Sequence, residues 1–394
     1  DTISINTWNH LVFVRDGSTN YIYVNNGTPV SISNWNITNS VGFTLARGGD
    51  YTPANSAYYN GSIDQVRIYN SAVSAANVTA LYNEIECPAV EVTNAFNTVL
   101  YTGNGSTQAV TGTGFEPDFT WIKAREASSS HQLFDSIRGV SNVMSSESTS
   151  GQSSLAPNGL TAFNNDGFTV KDIASGGNGV NGSAGGTYSG TNAYYVSWNW
   201  KASATTVTNT DGTTGNNDGR GTAVDSDVRA NQTSGFSIAK FTLPTDGTAN
   251  YGHGLLGTPD LVIYKRVDGT SPWMVFSNLF GANKYFRGLN TSGALVTTSC
   301  NVFNAGKTTV GIGNTSCFNE GSGQNWITYN FQSIDGYSKI GSYTGTGATG
   351  NVQYVGFEPS FVMVKATSTS EPWFILDNKR DPNNPRDNRL MPDS

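Results

Sequence analysis

One short phrase recurs along this chain and constrains its fold more than any other feature. It reads GFEPDFTWIKA at residues 114–124, LGTPDLVIYKR at 256–266 and GFEPSFVMVKA at 356–366. Aligned on proline, the copies are Pro117-x-Phe119-x-x-x-Lys123, Pro259-x-Leu261-x-x-x-Lys265 and Pro359-x-Phe361-x-x-x-Lys365, with one offset throughout. Proline fixes φ and has no N–H to give a ladder, so it belongs at a strand entrance, after a turn supplied by Gly and Glu or Thr. Beyond it side chains alternate, which puts Phe119, Trp121 and Lys123 on one face and Thr120 and Ile122 on the other. The repetition predicts three homologous β domains, each opening a core strand in the same way.

The frame extends on both sides of the phrase. Upstream, YTGNGSTQAVTGTGFEP from Tyr101 aligns without a gap on YTGTGATGNVQYVGFEP from Tyr343. Downstream, Pro272-Trp273 and Pro372-Trp373 fall at one position of their copies, and Phe134, Phe276 and Leu376 at another. The first two copies close on the aromatic runs AYYVSWNWKA and NWITYNFQSI. Composition agrees with strands and turns: glycine numbers 45 in 394 residues, and charged residues make up only 13% against roughly 25% in average domains. The net charge of −7, with 22 Lys and Arg in no tract, argues against a nucleic-acid partner, because phosphate binding needs clustered cations. No apolar run reaches the roughly 20 residues of a membrane span, so membrane insertion is not expected.

Residues 1–86 read differently. In TWNHLVFVRDGSTNYIYVNNGTPV, Val12 and Val14, then Tyr21 and Tyr23, alternate around Asp16-Gly17 as in a half-buried hairpin. Ile63, Val66, Ile68 and Tyr69 suggest a further strand, and Ser74 caps a short helix carrying Val78, Leu81 and Tyr82. Three phrases resemble the closing half of a laminin-G-like, concanavalin-type jelly roll: Trp8-x-His10-x-x-Phe13, the DG…YVN hairpin from Asp16 to Asn25, and GSIDQVRIYN over residues 61–70. That resemblance implies a lectin-like domain whose earlier strands are not represented in this sequence. Relatives of this kind often hold calcium at the rim, so calcium is the one cofactor left open.

The combination HQLFDSIRG, NGLTAFNNDGFTV, YYVSWNWKA, VRANQTSGFSIAKFT, GHGLLGTPDLVIYKR and DGYSKIGSYTGTG resembles tandem β-domain arrays in structural proteins of tailed bacteriophages of the marine and cyanobacterial type. The resemblance implies a virion appendage: other virion proteins and a host cell-surface glycan as partners, a place on the virion surface, and a homo-oligomer, with trimers common among such appendages. It supplies a setting more than a mechanism. A non-enzymatic adhesive role is expected because no catalytic carboxylate cluster is found in the sequence, with a secreted bacterial surface adhesin or carbohydrate-binding accessory module as the alternative and a capsule or cell-wall depolymerase third.

Candidate sites follow from exposed rings beside polar groups, since ring faces stack on sugars. Asp50, Tyr51, Tyr58 and Tyr59 form one such group, and Trp273 and Trp373 another. The two tryptophans recur at one repeat position, however, and that regularity favours core packing. His131 and Asp135 suggest a base with its orienting acid, but no nucleophile motif accompanies them. Glu116 and Glu358 precede the repeated prolines and have Thr258 in the middle copy, which suits turns better than the paired acids of a glycosidase. Asp211, Asp218, Asp225 and Asp227 lack the late glutamate of a calcium loop. Cys300 and Cys317 are expected to lie close enough to bridge, with Cys87 unpaired. The expected architecture is all-β: a jelly roll over 1–86, β-sandwiches over 87–202 and 236–335, a polar linker or surface loop over 203–235, and an incomplete sandwich over 336–394. Both ends are expected to continue in a longer polypeptide. Sandwiches stacked or strung together would extend a binding head, and linked weak sites would add avidity.

Overall fold

The computed structural model describes residues 3–4, 7–16, 19–32, 47–48, 57–58, 63, 66, 72–83, 95–126, 129–172, 179–182, 193–203, 207–209, 224–244, 248–281, 284–297, 304–305, 309–312 and 323–394. The chain is nearly all β and antiparallel, in two compact units, residues 1–89 and 90–394.

In the first unit Leu11–Asp16 pairs with Thr19–Val24, which pairs with Val30–Ile32. The alternation read from the sequence selects the buried face: Val14, Tyr23 and Val78 form its core, with Val12, Tyr21 and Val73 against it. Val78 comes from the helix Ala75–Asn83, whose first turn is capped by the Ser74 hydroxyl accepting from the Asn77 N–H at 3.2 Å. The expected strand around Ile68 and Tyr69 lies largely outside the described residues. So do Cys87, Cys300 and Cys317.

In the second unit the first two repeats share one topology. Phe96–Thr102, Tyr194–Trp200, Phe119–Ala124 and Gln132–Asp135 form a sheet in that order. The second repeat repeats the order with Phe236–Thr242, Asn325–Phe331, Leu261–Arg266 and Met274–Ser277. A second sheet faces each one, built on Thr107–Thr111, Gly167–Lys171 and Gly159–Asn164 in the first repeat and on Ala249–Gly252, Thr309–Ile312 and Asn304–Ala305 in the second. The third repeat contributes a hairpin, Phe361–Val364 with Phe374–Asp377. All three proline-led strands start two residues after their proline. Their hairpin registers coincide, as Phe119↔Asp135, Leu261↔Ser277 and Phe361↔Asp377.

The two faces of each main sheet have different partners. Ile122, Phe134 and Tyr195 pack on the second sheet of their own repeat, and Val262, Tyr264 and Trp326 do so in theirs. The opposite face carries Phe119, Trp121 and Trp198 from the first repeat, Ile263, Val275 and Tyr329 from the second, and Trp373 and Ile375 from the third, all in one shared core. The repeats are therefore joined through their main sheets. Of the stacked and strung arrangements expected, the repeats are packed together: a sheet with large apolar side chains on both faces must be covered twice, and the neighbouring repeats provide the second cover.

The segment 203–235, expected to be a linker or loop, carries the strands Val207–Asn209 and Ser226–Asn231, which extend the second repeat's sheet at its edge. It has too few apolar residues for a core of its own and adds Val228 to an existing one. Arg229 then reaches Asp118 of the first repeat at 2.8 Å.

Candidate functional site

Of the proposed sugar-binding group in the first unit, Tyr58 lies in the strand Ala57–Tyr58, paired with Arg47–Gly48 through Arg47↔Tyr58. Asp50, Tyr51 and Tyr59 lie outside the described residues. The most exposed indole among the described residues is Trp8, at 71%; its phrase marked it as architecture rather than as a ring open to solvent.

Trp273 and Trp373 are 0% and 4% exposed, so neither offers a face to a sugar. Both are cross-repeat donors. Trp273 Nε1 donates to the carbonyls of Ser145 and Ser148 at 3.0 and 3.1 Å, joining the second repeat to the first. Trp373 Nε1 donates to the Gly288 carbonyl at 3.1 Å, joining the third to the second. Twelve residues after the strand's first position, the first repeat has His131 instead. Its Nδ1 accepts from Trp121 Nε1 at 2.9 Å, and the Met391 backbone of the third repeat lies beside the ring, short of a well-formed hydrogen bond to Nε2. Burial pulls the His131 imidazole well below its ordinary range, and the Lys123 and Arg380 charges add to that. The three positions thus link repeat 1 to 3, 3 to 2 and 2 to 1.

A second set of contacts follows the same circuit. The Tyr329 hydroxyl donates to Asp135 Oδ2 at 2.8 Å, and Trp198 Nε1 donates to Asp377 Oδ2 at 3.0 Å. Each acceptor is paired with an arginine three residues on, Arg138 or Arg380. Arg138 keeps its charge because Asp135 beside it outweighs the cost of burial. Burial holds the Tyr329 phenol well above its ordinary range, so it remains a donor. At the corresponding place in the second repeat stand Ser277 and Phe280. Two of the three lysines of the repeated phrase reach a neighbouring repeat, Lys265 Nζ donating to the Thr149 carbonyl at 3.0 Å and Lys365 Nζ to the Ser292 carbonyl at 3.2 Å, whereas Lys123 Nζ donates to the Ser129 carbonyl of its own repeat.

These bonds dispose of the suggested acid–base pair. His131 and Asp135 are both buried, but Asp135 is committed to Arg138 and Tyr329, and His131 to Trp121. Glu116 is exposed in its turn, and Glu358 is 77% exposed beside Arg386. The sequence did hold a signal for the aspartates: Phe134 and Leu376 are each followed by Asp-x-x-Arg. A spacing of three residues in a hairpin turn brings carboxylate and guanidinium together.

An open cleft of about 450 Å³ lies where the first repeat meets the second, lined among others by Gln152, Lys240, Asp268, Thr270 and Asn325. Burial alone would raise the Asp268 carboxyl, but Arg266 and the Asn325 donors hold it below the ordinary range. A single, already satisfied carboxylate does not make the two-acid arrangement of glycoside hydrolysis. Among the described residues no three His, Cys, Asp or Glu gather in a metal-binding group.

Comparison with known families divides the chain near the same place as its contacts do. Residues 1–79 match the concanavalin A-like lectin/glucanases superfamily, a β-sandwich family, in its laminin-G form. Residues 91–394 match a family described as a domain of unknown function, DUF7483. No curated protein and no solved structure matches the chain. With that family spanning the whole ring of repeats and most of the sequence, the chain belongs to the DUF7483 family and carries a concanavalin-like domain at its N-terminal end.

Proposed function

We propose that the protein is a non-enzymatic adhesive component of a bacteriophage particle, a tail fibre, appendage or surface decoration whose N-terminal domain binds host surface carbohydrate. The observation that carries this reading is the union, in one chain, of a lectin-superfamily domain with a unit whose buried acids, bases and ring donors bond one repeat to another. Such a unit serves as a rigid mount. The concanavalin-like domain is consistent with carbohydrate binding, and the tandem phrases supply the virion setting, with other virion proteins and further copies of the chain as partners. Asp50, Tyr51, Tyr58 and Tyr59 of the first domain are the stacking candidates.

A glycan array probed with the intact chain tests the reading. Binding to a restricted set of glycans without release of reducing ends is expected, and Tyr58→Ala with Tyr59→Ala lowers that binding by about tenfold. Release of oligosaccharide would instead favour a depolymerase, a reading that the glucanases within the matched superfamily keep open. Absence of the protein from purified particles would remove the virion setting and favour a secreted bacterial adhesin.

A further inference from the structure

The cleft of about 450 Å³ between the first and second repeats has walls set by main-chain bonds. The loop 145–152 of the first repeat lies across the second: the Gln152 N–H donates to the Val267 carbonyl and the Ser271 N–H to the Thr149 carbonyl, both at 2.8 Å. Gly151 sits at the crossing, where a Cβ would come within 2.6 Å of the Val267 carbonyl oxygen and 2.8 Å of the Gly269 nitrogen. A side chain there would force the loop to shift, so the crossing is tight and the cleft beside it keeps its shape.

The polar groups in the cleft are not called for by the repeat. Strand register places Lys240 and Asn325 where the first repeat has Leu100 and Tyr194. At the joint of the second and third repeats, the matching main-chain bond runs from the Leu295 N–H to the Thr367 carbonyl and puts Leu295 where the first repeat has Gln152. Three positions that carry large apolar or aromatic side chains in a sister copy thus converge on one cleft as a lysine and two amides. Among the described residues Lys240 has no hydrogen-bond or ion-pair partner, and neither the Gln152 amide nor the Thr270 hydroxyl has one. Asp268, by contrast, accepts from Arg266 and from the main-chain and side-chain N–H groups of Asn325. That leaves one of the roughly four lone-pair sites on its two oxygens open. Arg266 cancels the Asp268 charge, so the cleft carries the positive charge of Lys240.

We propose that this cleft binds a carboxylate-bearing sugar residue, with Lys240 taking the carboxylate and Gln152, Thr270 and the open site on Asp268 taking ring hydroxyls. A single ammonium matches a single carboxylate. A dianionic phosphate calls for further cations or a nest of main-chain N–H groups, and a neutral sugar leaves Lys240 without a partner. The volume falls within the range of small-ligand sites, and the opening to solvent lets the rest of a glycan run out of the cleft. The site lies wholly within the repeat unit and goes beyond the lectin-domain reading, so either can fail without the other.

Titration of the intact chain with D-glucuronate, followed by amide NMR, tests the proposal. Saturable shifts at Gly151, Gln152, Gly269 and Thr270 are expected, in the roughly millimolar range of a ligand this small. D-glucose, which lacks the carboxylate, and acetate, which lacks the ring, each bind at least about tenfold more weakly. Lys240→Gln loses about tenfold in affinity for glucuronate, while Lys240→Arg stays within about threefold. Equal binding of glucose or of acetate overturns the proposal, the latter by reducing the cleft to a general anion site. So does an unchanged affinity in Lys240→Gln, or the absence of saturable shifts. Shifts confined to residues 1–86 also overturn it and would assign the acidic sugar to the N-terminal domain.

Discussion

The strands Leu261–Arg266 and Phe361–Val364 start from the same phrase, yet they live in different surroundings. The four central residues of the first are buried, whereas the second is half-exposed along its length. Val262 is 0% exposed and its counterpart Val362 is 37% exposed. Toward the shared core the two strands are alike, with Ile263 and Met363 packed into or against one cluster. They differ on the outer face, where the second repeat has a facing sheet and the third, among the described residues, does not. A β-strand therefore takes its burial from its neighbours; the phrase specifies only which residues point each way.

Breaking the ring where its charges are buried should cost most. Asp135→Ala leaves Arg138 without its counter-ion and the Tyr329 hydroxyl without its acceptor, and is expected to cost about 3–5 kcal/mol in urea unfolding. The double variant Asp135→Ser/Arg138→Phe, which copies the second repeat, should recover at least half of that loss. If it does not, Ser277 and Phe280 are no real equivalents of the pair. The strand comparison predicts a smaller contrast: Val262→Ala costs about 2 kcal/mol through a buried cavity, Val362→Ala less than about 0.5 kcal/mol. Equal losses would mean that the outer face of the third repeat is covered in solution.

The least effect concerns pH. His131 titrates below its ordinary value in the folded protein because of burial first and of Lys123 and Arg380 second, while the Glu147 carboxylate meets its backbone N–H at 3.2 Å. The unfolded chain then takes up the proton first on acidification. The stability contributed by the neutral ring is complete above pH about 6.5 and declines as pH falls toward the folded value, by about 1 kcal/mol between pH 6.5 and 5.5. Replacing the histidine, as in His131→Phe, should remove that part of the slope. An unchanged slope would show that His131 is not the group responsible.

Much of the fold was legible in the chain. The proline offset located three strand entrances, the alternation in Val12, Val14, Tyr21 and Tyr23 selected the packed face of the first hairpin, and Ser74 marked its helix. The site was less legible. Trp273 and Trp373 carry the composition of a sugar platform and prove to be cross-repeat donors, because an indole N–H bonds equally well to a sugar or to a carbonyl and its sequence does not say which is near. The aspartates and arginines of the ring were visible as Asp-x-x-Arg, but their partners Tyr329 and Trp198 lie 194 and 179 residues from them.

Periodicity and turn chemistry act over a few residues, and for that reason the sequence by itself determined strand positions, the split into an N-terminal domain and a repeat unit, and the all-β class. Tertiary structure alone decided that the repeats close on one another, that segment 203–235 joins a sheet, and which polar groups meet in the shared core. Those outcomes depend on covering the second face of each sheet. That is a property of several distant segments at once, and no single stretch of the chain contains it.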